Sequence, residues 1–393
     1  RYPILFLSES PYNSAIVTRK WSTCLKNVLG AFRGRKGMYG NRQGDLFTKK
    51  RRVSLCIRQH LENGGREMEN FKNSPLVKKL GFNRIILCGV LVLMYLLFSI
   101  IEPSFVSYSR IISALNYAYF LGFLALGVTF VIATGEIDFS IGPVMFCAAL
   151  IGGKLFVDGV PMGACLIITI LVGLVFGLFS GFLVAYMGLP SFISSMAVMM
   201  LSKGIGSVFT KTQAMSWPQS SAEGGWYKSL IKMNVGGIDI PTGLIILLLV
   251  AVVCGIILNN TKAGRYILCL GSNQEAVRLS GVDVKKWKLL AFVICGTLAG
   301  FAAIAYVGSY TIVSPGLGDT FNNDAIASCV MGGTSMSGGI ASIGGSIIGV
   351  MIISLLQEGI LAMGFQKDYQ YVITGIIVLV AVFADVRSRR KKN

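Results

Sequence analysis

The chain has 393 residues, of which 53% are hydrophobic and 14% are charged, whereas soluble proteins carry about 25% charged residues. Its formal net charge is +18, and its one histidine, His60, excludes a histidine-based metal site or general base from the apolar part of the chain. The composition is typical of a protein that crosses a lipid bilayer many times.

Most of the excess Lys and Arg lies within residues 1–83. A basic arm of this kind can bind nucleic acid or anionic lipid, but retention on the cytoplasmic side of a membrane is the simpler explanation. Residues 1–67 lack helical periodicity, and Met68 follows a Gly-Gly-Arg-Glu stretch whose purine-rich codons can form a ribosome-binding site. We therefore expect a non-native or disordered extension before Met68, with a genuine basic extension as the alternative. Residues 68–83 are expected to form a cytoplasmic lead-in.

Runs of about 20 mostly apolar residues, the length that a spanning helix needs, predict an all-α bundle of about ten membrane helices over residues 84–386. The predicted spans are, in chain order, Ile85–Ile101, Ile111–Thr134, Ile141–Val157, Met162–Met187, Phe192–Thr210, Thr242–Leu258, Leu289–Tyr310, Asp324–Thr334, Ser342–Leu361 and Tyr369–Ala384. The eighth is short, and broken or short helices are expected near residues 135–142 and 324–340.

Basic segments predict the orientation of the spans. The lead-in, the loop Asn259–Lys288 and the tail 387–393 are basic, and Lys and Arg remain on the cytoplasmic side. Ten alternating spans place all three on that side and nine do not, so the eighth segment is counted as a crossing. The polar stretch Lys211–Pro241 then lies outside, with two tryptophans typical of a membrane–water interface.

Regularly spaced glycines in the fourth span predict close helix packing. Gly173, Gly177 and Gly181 recur every four residues and share one helix face. Small residues at this spacing let a neighbouring helix approach closely.

Polar residues at the interruption between the second and third spans are candidates for a functional site. Carboxylates are costly in hydrocarbon, and the nearby glycines and proline favour a broken helix that lines a cavity. In one interpretation, Asn116, Glu136, Asp138 and Ser140 line a translocation path. In the other, the two carboxylates cap helix ends and organise the fold, and Asn116 bonds to a neighbouring helix.

Glycine pairs every six residues follow the start of the eighth span. They permit close backbone approach and predict a tight turn between two packed half-spans, with a gating hinge as the alternative. Asp324 is expected to cap the N-terminus of the eighth span, because negative charge is favourable there. The candidate packing or hinge residues in this region are Asp324, Gly332, Gly333, Gly338 and Gly339.

The basic loop after the sixth span contains capping signals for a short helix. Gly271 can end the preceding helix, Ser272 or Asn273 can accept a backbone N–H of the next one, and Gly281 can end it in a left-handed conformation. Glu275 lies in the first turn, where it complements the helix dipole. Such a short two-faced helix fits a groove on a partner protein, and an ordinary solvated loop is the alternative.

Three segments carry recognisable motifs. Residues 134–142 read Thr-Gly-Glu-Ile-Asp-Phe-Ser-Ile-Gly, and residues 324–335 read Asp-Ala-Ile-Ala-Ser-Cys-Val-Met-Gly-Gly-Thr-Ser, followed by Gly338-Gly339. The loop contributes Gly271, Asn273, Ala276, Ser280, Gly281 and Val282. Together they resemble the permeases of sugar ABC importers of the ribose, xylose and galactose type over about residues 80–390. Glu136 departs from the pattern, because that family often has glycine there.

The resemblance implies a transmembrane permease subunit that imports a monosaccharide across the cytoplasmic (inner) membrane of a bacterium. It implies a second permease copy as a homodimer or paired heterodimer, a cytoplasmic ATP-binding cassette subunit, and an extracytoplasmic sugar-binding protein that docks on the outer loops. The loop helix becomes the coupling helix, with the ATPase-coupling residues Gly271, Asn273, Glu275, Ala276, Arg278, Ser280, Gly281 and Val282.

The sequence contains no Gly-x-x-x-x-Gly-Lys-Ser/Thr phosphate-binding loop. The chain is therefore expected not to be an enzyme and to bind no cofactor or metal directly, with ATP used by the partner subunit. Nucleic acid is not an expected partner.

Three other functions compete with this interpretation. An ion- or proton-coupled secondary transporter of a small polar solute also has many spans and broken helices, but it needs no coupling helix. A membrane-embedded enzyme needs a concentrated catalytic set, and the sequence offers no His or Cys–His arrangement for one. Polar residues inside the spans argue against a pure scaffold subunit.

Overall fold

The computed structural model describes residues 82–235, 238–366 and 368–390. The expectations for residues 1–67, for most of the 68–83 lead-in and for the end of the basic tail lie outside these ranges.

Within the described ranges the chain is a bundle of α-helices with four very short strands. The helices are α1 Phe82–Ile101, α2 Tyr108–Ala133, α3 Ile141–Val157, α4 Met162–Ala185, α5 Ser191–Phe209, α6 Thr242–Asn260, α7 Lys262–Ser272, α8 Gln274–Leu279, α9 Val284–Ser309, α10 Asp319–Met331, α11 Ile343–Ala362 and α12 Asp368–Arg390. Seven of them are long and apolar enough to cross a bilayer, and α3 is a shorter apolar helix. The predicted all-α membrane bundle is confirmed.

Ten of these helices occupy the places of the predicted spans, with one clear shift. The helix predicted over Asp324–Thr334 runs instead from Asp319 to Met331 and begins after Gly318. The prediction that Asp324 caps this helix is therefore wrong, since Asp324 lies in the second turn and is buried. The connecting segment between α6 and α9 also forms two helices, α7 and α8, whereas the sequence predicted both ends of α8 alone.

Helix α2 forms the centre of the bundle. It is apolar on all sides, so no face of it suits water, and its residues 117–133 are buried. Helices α9, α11 and α10 pack around it, and α9 also packs extensively on α4. Helix α1 instead lies at the edge of the bundle, where Ile100 and Ile101 are exposed as lipid contacts would be.

The glycine face of α4 forms the contact with α9. A Cβ built on Gly173 would lie 2.4 Å from the carbonyl oxygen of Gly296, and one on Gly177 would lie 2.5 Å from that of Phe292. On the opposite helix, a Cβ on Gly300 would lie 2.7 Å from the Cα of Ile170. The two backbones therefore touch, which only glycine permits at these positions.

One end of the bundle, here the Trp217 end, is closed by short strands. Strand β1 Met215–Ser216 pairs antiparallel with β4 Ile312–Val313, and β2 Met233–Val235 pairs with β3 Ile238–Ile240. Trp217 is buried, and its indole N–H donates to the carbonyl of Ala149 at 3.1 Å. The interfacial role expected for Trp217 is thus wrong, because the indole packs inside the protein, whereas Trp226 is exposed as expected.

The opposite end, here the Glu136 end, gathers the segments predicted to be cytoplasmic. The 134–140 connection, the end of α7 and the 335–342 turn touch there, and a Cβ built on Gly344 would lie 3.8 Å from the Arg84 guanidinium carbon at the start of α1. Because β4 lies at the Trp217 end, the chain between Val313 and the 335–342 turn crosses the whole bundle. Helix α10, with 13 residues, forms only the part of this crossing that leads to the 335–342 turn, and the nonhelical residues before it form the rest.

Candidate translocation and coupling site

The chain is interrupted between α2 and α3, as expected for a broken helix. Asp138 is buried there, and its Oδ1 accepts hydrogen bonds from the backbone N–H of Ser140 at 2.8 Å and from the Ser140 hydroxyl at 2.6 Å. Both partners lie two residues away, so this carboxylate fixes the local turn that leads into α3. The geometry favours the interpretation in which Asp138 organises the fold.

A side chain of α10 holds the same interruption from the other side. The Asn322 amide donates to the carbonyl of Phe139 at 2.5 Å, and its Oδ1 accepts from the N–H of Gly142 at 2.7 Å. Asn322 thus satisfies one acceptor and one donor that the broken helix leaves open, as buried backbone groups require. The start of α10 and the start of α3 meet here, since a Cβ on Gly142 would lie 2.1 Å from the carbonyl oxygen of Gly318.

Asp324 forms the centre of a buried polar network in α10. Its Oδ2 accepts from the Tyr117 hydroxyl at 2.5 Å and from the Gln370 amide at 3.2 Å. The Gln370 amide also approaches Gln357 at 3.5 Å. The network connects α2, α10, α11 and α12, so Asp324 holds four helices together and does not cap one.

We expect Asp324→Ala to destabilise the protein by roughly 3 kcal/mol, because the buried Tyr117 and Gln370 donors would lose their acceptor. Asp324→Asn keeps one acceptor oxygen and should cost less. The purified, detergent-solubilised proteins are heated, and the monodisperse fraction that remains is measured by size-exclusion chromatography. Thermal stability should decrease in the order wild type, Asp324→Asn, Asp324→Ala. Equal melting of the Ala variant and wild type would contradict the network's structural role.

Asn116 is separated from Glu136, which follows the end of α2. It lies early in α2, so the rest of that helix, about 25 Å at 1.5 Å per residue, lies between it and Glu136. Its Oδ1 is buried without a hydrogen-bond partner in the described part of the chain.

Glu136 forms an ion pair with Lys288 near the start of α9. The carboxylate Oε1 and the ammonium Nζ are 2.5 Å apart, and the two side chains are only 19% and 13% exposed. Lys288 lies in the second turn of α9, whose cap, Asp283, follows the loop helix α8. The residue that departs from the family pattern therefore ties the α2–α3 interruption to the loop.

The loop helix α8 has the caps that the sequence predicts. Asn273 Oδ1 accepts from the Ala276 N–H at 3.0 Å, and Gly281 has a φ of +76°.

The remaining contacts of α8 are local. Glu275 and Arg278 pair with each other, with Nη2 and Oε2 2.9 Å apart. Ser280 donates to the carbonyl of Ala276 at 2.8 Å, and the N–H of Val282 reaches the carbonyl of Val277 at 3.4 Å. Val277 is buried, whereas Leu279 is 81% exposed and available to a partner.

Gly271 serves close packing and does not end its helix. Helix α7 continues to Ser272 and ends at the extended Asn273, so the expected helix break at Gly271 is wrong by two residues. A Cβ on Gly271 would lie 2.1 Å from the carbonyl oxygen of Ala133 and 2.3 Å from the nitrogen of Gly339. Those two atoms are joined by a hydrogen bond of 3.0 Å, which an added methyl group would break.

Three backbone segments therefore meet at what we call the glycine junction, formed by Ala133, Gly135, Gly271, Gly338 and Gly339. Gly338 and Gly339 both have positive φ, and a Cβ on Gly338 would lie 2.7 Å from the nitrogen of Gly135. The junction joins the end of α2, the end of α7 and the turn between α10 and α11. Gly332 supports that turn from α10, since a Cβ on it would lie 2.3 Å from the backbone of Gly345, and Gly333 has a φ of +90°.

Sequence reasoning missed the partners of the polar residues it selected. Tyr117, Asn322 and Gln370 lie within or beside apolar stretches, and their polarity was the available signal. Lys288 was counted only as a loop charge. In the described part of the chain, no group of three or more His, Cys, Asp or Glu could hold a metal ion.

Comparison with known proteins identifies the family. A family profile described as "Branched-chain amino acid transport system / permease component" matches residues 110–382. The ribose import permease protein RbsC of Escherichia coli strain K12 is 30% identical over 292 residues, covering 73% of this chain and 88% of that protein. RbsC of Haemophilus influenzae is 32% identical, covering 75% and 90%.

A further relative and a solved structure are also similar to this chain. The xylose transport system permease protein XylH of Escherichia coli strain K12 is 28% identical, covering 80% of this chain and 94% of that protein. A solved metal-chelate type ABC transporter in an inward-facing conformation has a TM-score of 0.45 at 16% identity, covering 77% of this chain and 99% of that one.

The profile covers both interruptions, by which we mean the α2–α3 connection and the α10–α11 turn. It also covers the glycine contact between α4 and α9 (the glycine seam), α8 and the glycine junction, so the match includes every element of the candidate site. The resemblance suggested by the three motifs is confirmed, and the chain belongs to this family of membrane transport permease components.

Proposed function

We propose that the chain is the permease subunit of an ATP-driven importer that moves a monosaccharide of the ribose or xylose kind. The glycine junction carries this proposal. It places the end of α7, directly before the exposed loop helix α8, in backbone contact with both interrupted segments of the bundle. A force applied to α8 by a partner thus reaches the α2–α3 and α10–α11 connections through rigid backbone.

The Glu136 end is the cytoplasmic side in this proposal. The start of α1 and the basic loop helices lie there together, in agreement with the rule that Lys and Arg stay inside. Leu279, exposed on α8, would insert into a cytoplasmic ATP-binding cassette subunit. The Trp217 end would then face an extracytoplasmic binding protein, with Trp226 as an exposed aromatic contact.

The path itself would lie between two permease copies. Helix α5 supports this arrangement, because one of its faces is apolar and open, with Met200, Ile205 and Val208 exposed. Asn116 is a candidate to contact the solute, since its buried oxygen has no partner in the described residues. Asp138 and Ser140 would hold the wall of the path in shape and would not bind the cargo.

Reconstitution distinguishes this proposal from a secondary transporter. Proteoliposomes containing the chain, its neighbouring ATPase and a sugar-binding protein should accumulate labelled ribose or xylose only with ATP and the binding protein present. Uptake that follows a proton or sodium gradient without ATP would support the ion-coupled alternative. A catalytically inactive ATPase serves as the control, because it retains the assembly and removes hydrolysis.

We expect Asp138→Asn to retain uptake, because asparagine Oδ1 can accept the same two bonds from Ser140. Asp138→Leu leaves a buried backbone N–H and a hydroxyl unpaired, at a cost of about 2 kcal/mol or more, and should lower membrane abundance. For each variant, immunoblotting of membranes measures abundance and a labelled-sugar assay measures uptake. An abundant Asn variant without uptake would contradict a purely structural role and assign one to the charge.

We expect Glu136→Gln or Lys288→Gln to uncouple hydrolysis from uptake. Each leaves a half-buried charge without its partner, so the link between α9 and the interruption loosens by about 1–2 kcal/mol. The ATP hydrolysed per sugar imported, measured in the same proteoliposomes, should rise. The double variant Glu136→Lys with Lys288→Glu exchanges the two charges and should restore part of the coupling. If neither Glu136→Gln nor Lys288→Gln changed the ATP hydrolysed per sugar imported, the ion pair would have no role in coupling.

A further inference from the structure

An aromatic and basic surface at the Glu136 end has no role in the transport cycle described above. It consists of Tyr186, Tyr266, Lys285, Lys286 and Trp287, which we call the basic-aromatic patch. The Lys285 ammonium lies 5.7 Å from the centre of the Tyr186 ring, and the Lys286 ammonium lies 5.6 Å from the Trp287 ring. The Tyr266 and Trp287 rings are 5.0 Å apart. Lys285 and Lys286 are neighbours at the start of α9, so this helix start carries an aromatic contact to the end of α4 on one side and to α7 on the other.

The two lysines are exposed and have no acidic partner among the described residues. Two carboxylates lie near them, Asp283 in the sequence and Glu136 through its contact with Lys288, and both are otherwise engaged. Asp283 accepts the backbone N–H groups of Lys285 and Lys286 as the cap of α9, and Glu136 pairs with Lys288. Two positive charges are thus available to a ligand with negative charge.

The position of the patch indicates which ligand. Tyr186 follows α4, whose face opposite the glycine seam is apolar and exposed, with Val175 61% and Phe182 44% exposed. The Phe182 ring stacks on Tyr186 at 5.7 Å. An apolar helix face that ends in tyrosine and lysine matches a lipid leaflet, where acyl chains meet the face and headgroups meet the cations.

We propose that the basic-aromatic patch binds the headgroup of an anionic phospholipid of the leaflet at the Glu136 end. The phosphate would lie between Lys285 and Lys286, with the acyl chains along the exposed face of α4. The ATPase is a weaker candidate for this surface, because the exposed apolar residue suited to a protein partner, Leu279, lies on α8. Anionic lipid near the start of α9 would hold that helix at a fixed depth, since juxtamembrane lysines are attracted to negative headgroups.

Native mass spectrometry of the full chain in nanodiscs tests the proposal. The nanodiscs contain phosphatidylcholine and phosphatidylglycerol in equal amounts, and retained lipids are counted after the disc is stripped. Wild type should retain phosphatidylglycerol in preference to phosphatidylcholine. The double variant Lys285→Gln with Lys286→Gln should lose this preference by on the order of tenfold, given the attraction of each lysine to an anionic surface.

The matched control removes two other exposed cations from the same end, Lys262→Gln with Arg265→Gln in α7. It should retain the preference, because neither residue belongs to the patch. Equal losses in both variants would mean diffuse attraction and would overturn the site. So would wild type without preference, or a patch variant that keeps its lipid but no longer co-purifies with the ATPase, which would make the surface a protein contact.

Discussion

Replacing Gly177 by leucine should remove the folded protein from the membrane. Even a methyl group at this position would lie 2.5 Å from the carbonyl oxygen of Phe292 and 2.9 Å from the Cα of Gly296. Both are helix backbone and cannot move aside as a side chain would. Helices α4 and α9 would have to separate along their whole contact, and overpacking of a rigid core costs about 1–3 kcal/mol or more. For Gly177→Leu we expect a destabilisation at or above the upper end of this range.

The measurement is membrane abundance together with the monodisperse fraction after detergent extraction. Gly255→Leu is the matched control, because Gly255 also lies inside a long helix, α6, and nothing lies within 4 Å of its built Cβ. The control should behave as wild type. A Gly177→Leu protein that extracts as a monodisperse species at normal abundance would contradict the close contact.

This seam shows what the sequence could and could not predict. The spacing of Gly173, Gly177 and Gly181 predicted a packing face, because residues four apart share a helix face. It did not identify the opposite helix, since Gly296 and Gly300 lie more than a hundred residues away and the pattern within α4 contains no information on the partner. Span positions were predictable for the same local reason, as bilayer thickness sets their length.

The shifted start of α10 has a physical explanation. Its first residues include Asp319 and Asn322, whose polarity suggested a loop. Asp319 instead pairs with Lys203 at 2.5 Å, and Asn322 bonds to the interruption after α2. Asp319 is 52% exposed, as hydropathy expects, whereas Asn322 is buried and bonds to backbone groups that the α2–α3 interruption leaves unpaired. Such pairing depends on tertiary structure and is absent from local sequence.

In the candidate site, too, the features set by neighbouring residues were predictable and those set by distant residues were not. The caps of α8 at Asn273 and Gly281 were predictable, because capping depends on neighbouring residues. The pairing of Glu136 with Lys288 and the bonding of Tyr117 to Asp324 were not, since each joins residues more than 150 positions apart. The intramembrane carboxylates could be selected by their polarity, whereas only their hydrogen-bond partners favour a fold-organising role for Asp138 and Asp324.

Replacing Gly271 by valine should abolish coupled uptake in a protein that still reaches the membrane. The added carbon would lie between the Ala133 carbonyl and the Gly339 N–H and would break their hydrogen bond. That bond lies at the last residue of α2 and apart from the α4–α9 contact, so insertion and most packing should survive. The three segments of the glycine junction would separate, and α8 would lose its backbone connection to both interruptions.

Uptake and ATP hydrolysis in proteoliposomes separate this effect from misfolding. Gly271→Val should hydrolyse ATP with the ATPase bound, while sugar uptake falls by at least about tenfold, the factor that roughly 1.4 kcal/mol of lost coupling gives. Gly163→Val is the control, because nothing lies within 4 Å of a Cβ at that helical position. If Gly271→Val imported sugar at the normal ratio to ATP hydrolysed, the junction would not transmit the motion of α8. The force would then have to reach the spans through α9, where the Glu136–Lys288 pair is the remaining connection.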